Sequence, residues 1–117
     1  MDAVIKTGIS AWTEPTLVSS GWYPPGTNSA EGRLRYYATQ FPLVEVDATH
    51  YALPSEQNAR RWSERTPEGF TMNVKAFGAL TAHYIDPRRL PRDLREGLPD
   101  EVRAKGRAYP KDLGDAV

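Results

Sequence analysis

Residues 4 to 10 (VIKTGIS) alternate apolar with small or polar side chains, which predicts a strand that Pro15 closes. From Thr16 to Asn28 the chain reads as a loop, in which Trp22-Tyr23-Pro24-Pro25-Gly26 sets a stiff diproline beside two aromatics. Ser29 is positioned to cap a helix over 30–41, because Leu34, Tyr37, Ala38 and Phe41 recur at helical spacing before Pro42. A short β-branched run at 43–49 (LVEVDAT) predicts the second strand, and Leu53-Pro54-Ser55 turns into a second helix over 56–65. That helix is expected to turn Ala59 and Trp62 inward. Residues 70–75 (FTMNVK) supply a third strand. Strands that alternate with helices at this spacing predict parallel pairing. Residues 76–117 read as a charged excursion, broken by Pro87, Pro91, Pro99 and Pro110, with one short helical piece near 92–97.

Alternation splits each strand into two faces. Val44 and Val46 oppose Glu45 and Asp47, with Leu43 and Thr49 on the acidic side; Phe70, Met72 and Val74 oppose Thr71, Asn73 and Lys75. Ile5, Thr7 and Ile9 likewise oppose Lys6, Gly8 and Ser10. A doubly wound sheet covered by helices on both sides would be apolar on both faces. The expected fold is therefore an α/β parallel barrel of the (β/α)8 type, a single domain over 1–117 holding only the first three strands and two helices. Three strands cannot close a barrel, so a truncated chain with open edges, prone to self-association, is expected. In such a barrel Glu45, Asp47 and Lys75 converge near the mouth as candidate acid–base groups, the competing reading being a structural ion-pair network.

Fifteen basic residues balance fifteen acidic ones, so charge does not indicate nucleic acid or an anionic membrane as a partner. The absence of cysteine removes disulfides and thiolate chemistry and accords with a cytoplasmic setting. Nothing resembles a signal peptide or a membrane span, which gives a soluble protein as the expectation. Only two histidines occur, His50 and His83. Strand alternation would turn His50 away from Asp47, so no metal site is expected; His83 can serve as a proton carrier near Lys75 or as a solvated loop residue. Trp12, Trp22 and Tyr23 can form an aromatic wall for a ligand or plug the barrel mouth. The run Arg88, Arg89, Arg92 and Arg95 is interrupted by Asp86, Asp93 and Glu96 and reads as a solvated face.

Gly8-Ile9-Ser10-Ala11-Trp12, Trp22-Tyr23-Pro24-Pro25-Gly26, Val44-Glu45-Val46-Asp47-Ala48-Thr49, Tyr51-Ala52-Leu53-Pro54-Ser55 and Val74-Lys75-Ala76-Phe77 together resemble the YecE-like family, known as domain of unknown function 72. The likeness covers residues 5 to about 85, and Leu98 to Leu113 resembles an insertion found in some members. It implies a (β/α)8 barrel of which this chain is the N-terminal part, and it carries over Trp12, Tyr23, Glu45, Asp47, Tyr51 and Lys75. The family often shows a second glycine where Ala11 stands, asparagine as well as aspartate at position 47, and an aromatic where His50 stands. Its activity is unassigned, and the cofactor is unknown. The expected function is a barrel enzyme acting on a small polar or sugar-like ligand by acid–base chemistry, with Trp12, Tyr23, Tyr51 and His83 as ligand contacts. The alternatives are a non-catalytic ligand- or nucleic-acid-binding barrel and a nonfunctional fragment.

Overall fold

The computed structural model describes residues 2–114, in the order β1 (Gly8–Ile9), α1 (Pro15–Ser19), α2 (Ala30–Gln40), β2 (Leu43–Val46), α3 (Ala48–Tyr51), α4 (Glu56–Glu64), β3 (Thr71–Val74), α5 (Arg92–Glu96) and α6 (Asp100–Lys105). Contacts divide the chain into two units, Met1–Asp47 with Ser55–Val74, and Ala48–Pro54 with Lys75–Val117.

The first unit is built on a parallel sheet of order β1-β2-β3. Its helices start where side chains satisfy their first amides: Ser29 accepts from Gly32 N–H at 2.9 Å and Ser55 from Asn58 N–H at 3.1 Å. Leu34 and Tyr37 of α2 are buried in one cluster with Val44 and Val46 of β2 and with Trp12, against which Trp62 of α4 also packs. Full burial of side chains such as Leu34 and Val44 contributes roughly 1.5–3 kcal/mol each. The Tyr37 hydroxyl joins two strands, donating to Leu43 O at 2.9 Å and accepting from Ile9 N–H at 2.7 Å. Gly8 lies so close to β2 that a Cβ there would stand 2.1 Å from Leu43 O.

Several boundaries differ from the sequence reading, each for a local reason. The first strand covers Gly8–Ile9 and not 4–10, because its register sets Gly8 opposite Leu43, the first residue of β2. Residues before Gly8 run past the sheet, and Ile5 is 87% exposed. The second strand stops at Val46; Thr49 instead lies in α3, where its hydroxyl donates to Lys75 O at 2.6 Å. Within the region read as a loop, Pro15 opens α1 and Glu14 caps it, accepting from Leu17 N–H at 2.8 Å. Ala59 is exposed, leaving Trp62 as the residue of α4 that packs on the core.

In the second unit, the segment read as a charged excursion with one short helical piece near 92–97 holds that piece as α5 and carries a core of its own. Phe77, Ile85, Leu90, Leu98 and Val102 form a buried cluster with Leu94 packed against it. The four prolines taken as breakers all begin turns: Pro91 and Pro99 cap α5 and α6, and Pro87 and Pro110 open single 3₁₀ turns at 87–89 and 110–112. Ile85 and Ala108 exchange backbone hydrogen bonds of 2.8 Å in each direction, an antiparallel bridge that closes the segment on itself.

Ala11 adopts φ 108°, a region open to glycine and costly for a residue with a Cβ. Ala11→Gly should therefore raise stability by about 1 kcal/mol, read as a higher urea midpoint at unchanged slope. An unchanged or lower midpoint would show that the strain is relieved elsewhere.

Candidate functional site

On β2, burial alternates as a half-covered strand requires: Val44 and Val46 are buried, whereas Glu45 is exposed and pairs in register with Asn73, also exposed. Asp47 follows β2 and is partly buried, its Oδ1 atom lying out of contact with solvent. Glu45 and Asp47 thus sit at the C-terminal end of the central strand of the first unit. Lys75, exposed, opens the longer segment of the second unit.

The aromatic candidates divide in the same way. Trp12 is buried in the first unit and meets Trp62 edge-on, with centroids 5.7 Å apart. The Tyr23 hydroxyl donates to Trp12 O, and burial pushes its phenol up to about 12, the neighbouring Tyr37 adding to the rise and Arg33 opposing it. Tyr23 therefore stays protonated and acts as a strut beneath the Trp12 backbone. Trp22 packs across Tyr36 at 5.0 Å and Tyr23 at 4.9 Å.

Tyr51 and His83 meet in the second unit, around a cavity of about 270 Å³ that His50, Tyr84, Asp86 and Arg89 also line. The histidine rings lie 5.2 Å apart, nearly perpendicular. His50 Nδ1 stands 3.2 Å from Ala76 O, and a carbonyl only accepts, so Nδ1 carries the proton. The Thr81 hydroxyl donates to Gly78 O at 3.0 Å, which leaves its oxygen to accept from His83 Nδ1 at 2.8 Å. Both imidazoles therefore keep Nε2 for chemistry outside the unit's own hydrogen bonds. Gly78 packs tightly behind His50: a Cβ there would come within 3.2 Å of its ring. Asp86 is held by Arg88, whose Nη2 lies 2.8 Å from Oδ2, and this pairing keeps its carboxyl well below the usual range, at about 2.

Strand alternation does not govern the direction of His50, because position 50 lies on α3 and not on a strand. Tyr84 was passed over within the charged excursion, and Asp86 and Arg89 were read as part of a solvated face. The only available signal was the presence of two histidines 33 residues apart, which no local motif links. Among the described residues, no group of three or more His, Cys, Asp or Glu is placed to hold a metal ion, and no helix is long and apolar enough to cross a membrane.

Residues 6–109 match the model of a family described as protein of unknown function DUF72. The chain is 32% identical over 106 residues to the UPF0759 protein YunF of Bacillus subtilis, covering 91% of this chain and 35% of that protein. It is 34% identical over 80 residues to the UPF0759 protein YecE of Escherichia coli K12, covering 68% of this chain and 26% of that protein. The chain thus spans about a third or less of the length of these curated relatives. No solved structure matches it.

Proposed function

Because this chain belongs to the DUF72 family of proteins of unknown function, we propose that its first unit is the opening β-α-β-α-β portion of a (β/α)8 barrel whose mouth performs acid–base chemistry on a small polar or sugar-like ligand. One observation carries this reading. Residues of both connecting helices, Leu34 and Tyr37 of α2 and Trp62 of α4, pack into the cluster that holds Val44 and Val46, so both helices cover the same face of the sheet. Right-handed crossovers between strands in the order β1-β2-β3 put both helices on one face in either architecture, so the opposite face decides: a doubly wound sheet would be apolar there, whereas a barrel turns it inward. The other face, bearing Glu45 and Asn73, is polar and exposed among the described residues.

In a closed barrel that face becomes the interior, and the C-terminal strand ends become the catalytic rim. We assign the acid–base roles there to Glu45, Asp47 and Lys75, carboxylate and amine being the groups whose protonation a desolvated mouth can tune. The two edge strands, β1 and β3, await further strands in this reading, and the same edges would favour self-association of the chain standing alone. A cytoplasmic setting accords with the lack of cysteine.

The test uses a full-length protein carrying this sequence. A panel of sugars and small polar metabolites is screened by thermal shift and then for turnover, and Asp47→Asn and Lys75→Met are compared with the parent. Loss of one acid–base group should lower kcat by about 10²–10⁴-fold with ligand binding largely retained. Turnover and binding that survive both substitutions unchanged would remove these residues from the mechanism; binding without turnover in the parent would make the barrel a binding protein.

A further inference from the structure

The geometry points to a further site, built wholly within the second unit: its cavity binds the phosphate group of a small ligand through Arg89, His50 and His83, with Tyr51 and Tyr84 flanking the ligand's organic part. Tyr51 and His83 were expected as ligand contacts of a barrel mouth, and no phosphate site in this cavity was part of that reading.

The first support is the donor character of the wall. Each imidazole commits Nδ1 to an oxygen of its own unit and leaves Nε2 available, either as a lone pair or, once protonated, as a charged donor. The tyrosine hydroxyls can donate as well, and Arg89 adds a planar guanidinium, whose charge acts on Asp86 after that of Arg88. The one carboxylate lining the cavity, Asp86, is occupied: it accepts both Nε–H and Nη2–H of Arg88 and the backbone N–H of the same residue. Its charge is thereby offset, and the wall retains the positive charge of Arg89.

The second support is that the donors come from separate elements. His50 stands on α3, His83 follows the 3₁₀ turn at 78–81, and Arg89 ends the 3₁₀ turn at 87–89. A tetrahedral oxyanion can accept from three directions at once, whereas a planar carboxylate is served by one guanidinium fork. The third support is fixed placement. His50 is backed by Gly78, and the backbone that carries the exposed Arg89 side chain is anchored by buried Pro87 and buried Leu90. At about 270 Å³ the cavity lies near the lower end of ligand pockets, which run from about 300 Å³ upward. The ligand is therefore small. Tyr51 and Tyr84 are 59% and 50% exposed, as suits side chains at the rim that gain cover when a ligand arrives.

Because the chain has only His50 and His83, ring resonances report the site without ambiguity. The intact chain is titrated separately with inorganic phosphate, ribose 5-phosphate and ribose, following the two histidine Cε1–H signals by NMR. Saturable shifts of both signals with the two phosphates, and none with ribose, are expected. Tighter binding of ribose 5-phosphate than of inorganic phosphate would assign the site to a phosphate monoester, and equal binding would assign it to the free ion; either supports the phosphate site. Arg89→Gln should weaken binding at least about tenfold. Arg92→Gln removes the same charge from an exposed arginine bonded to Glu96 and should leave binding unchanged. No saturable shift with either phosphate, equal shifts with ribose, or equal weakening in both arginine variants would overturn the proposal.

Discussion

Tyr37→Ala should lower the stability of the first unit by about 3–5 kcal/mol, and Tyr37→Phe by about 1–3 kcal/mol. The larger loss arises because the ring is fully buried, stacks on Phe41 at 5.0 Å and lies in the cluster that joins α2 to β2. The smaller one isolates the hydroxyl, whose removal leaves Ile9 N–H and Leu43 O without the group that joins them. The three tryptophans, Trp12, Trp22 and Trp62, all belong to this unit's core, so urea unfolding followed by tryptophan fluorescence reports on it selectively. A Tyr37→Phe loss below about 0.5 kcal/mol would show that the hydroxyl bridge between β1 and β2 contributes little beyond ring packing.

For the second unit the largest expected effect is at Ile85. Ile85→Ala should cost about 2–5 kcal/mol and Ile85→Val about 0.5–1.5 kcal/mol, the gap measuring how far the surrounding side chains collapse into the space vacated. Ile85 is buried among Phe77, Leu90 and Leu98, and its backbone forms both halves of the bridge to Ala108. This unit holds no tryptophan, so amide hydrogen exchange at Ile85 and Ala108 is the suitable measurement. Protection at both amides should fall together in Ile85→Ala. Full protection retained there would mean that the bridge, and not the side chain, holds the segment closed.

What could be read from the sequence was what is encoded locally. Ser29 and Ser55 announce helix starts by the chemistry of a cap, and the alternation Val44-Glu45-Val46 announces a half-covered strand, because each signal is complete within a few residues. What escaped depends on pairing at a distance. The first strand is short because of its register with Leu43, and β2 ends early because Thr49 finds the carbonyl of Lys75. The spacing of Leu90, Leu94, Leu98 and Val102 was a visible core signal, but Pro91 and Pro99 among them were read as interruptions when they stand at the caps of α5 and α6. Glu45, Asp47 and Lys75 were legible as candidates from alternation alone. The cavity between His50 and His83 was not, since it depends on α3 replacing the end of a strand.

In the proposed barrel the polar face of β2, bearing Glu45, is an interior surface. A crystal structure of the full-length Bacillus subtilis relative, which this chain matches over 91% of its own residues, tests that directly. The expected result is a closed parallel barrel with the counterparts of Glu45 and Asp47 directed into its lumen and every connecting helix outside. An open sheet with helices packed over the Glu45 face would contradict it.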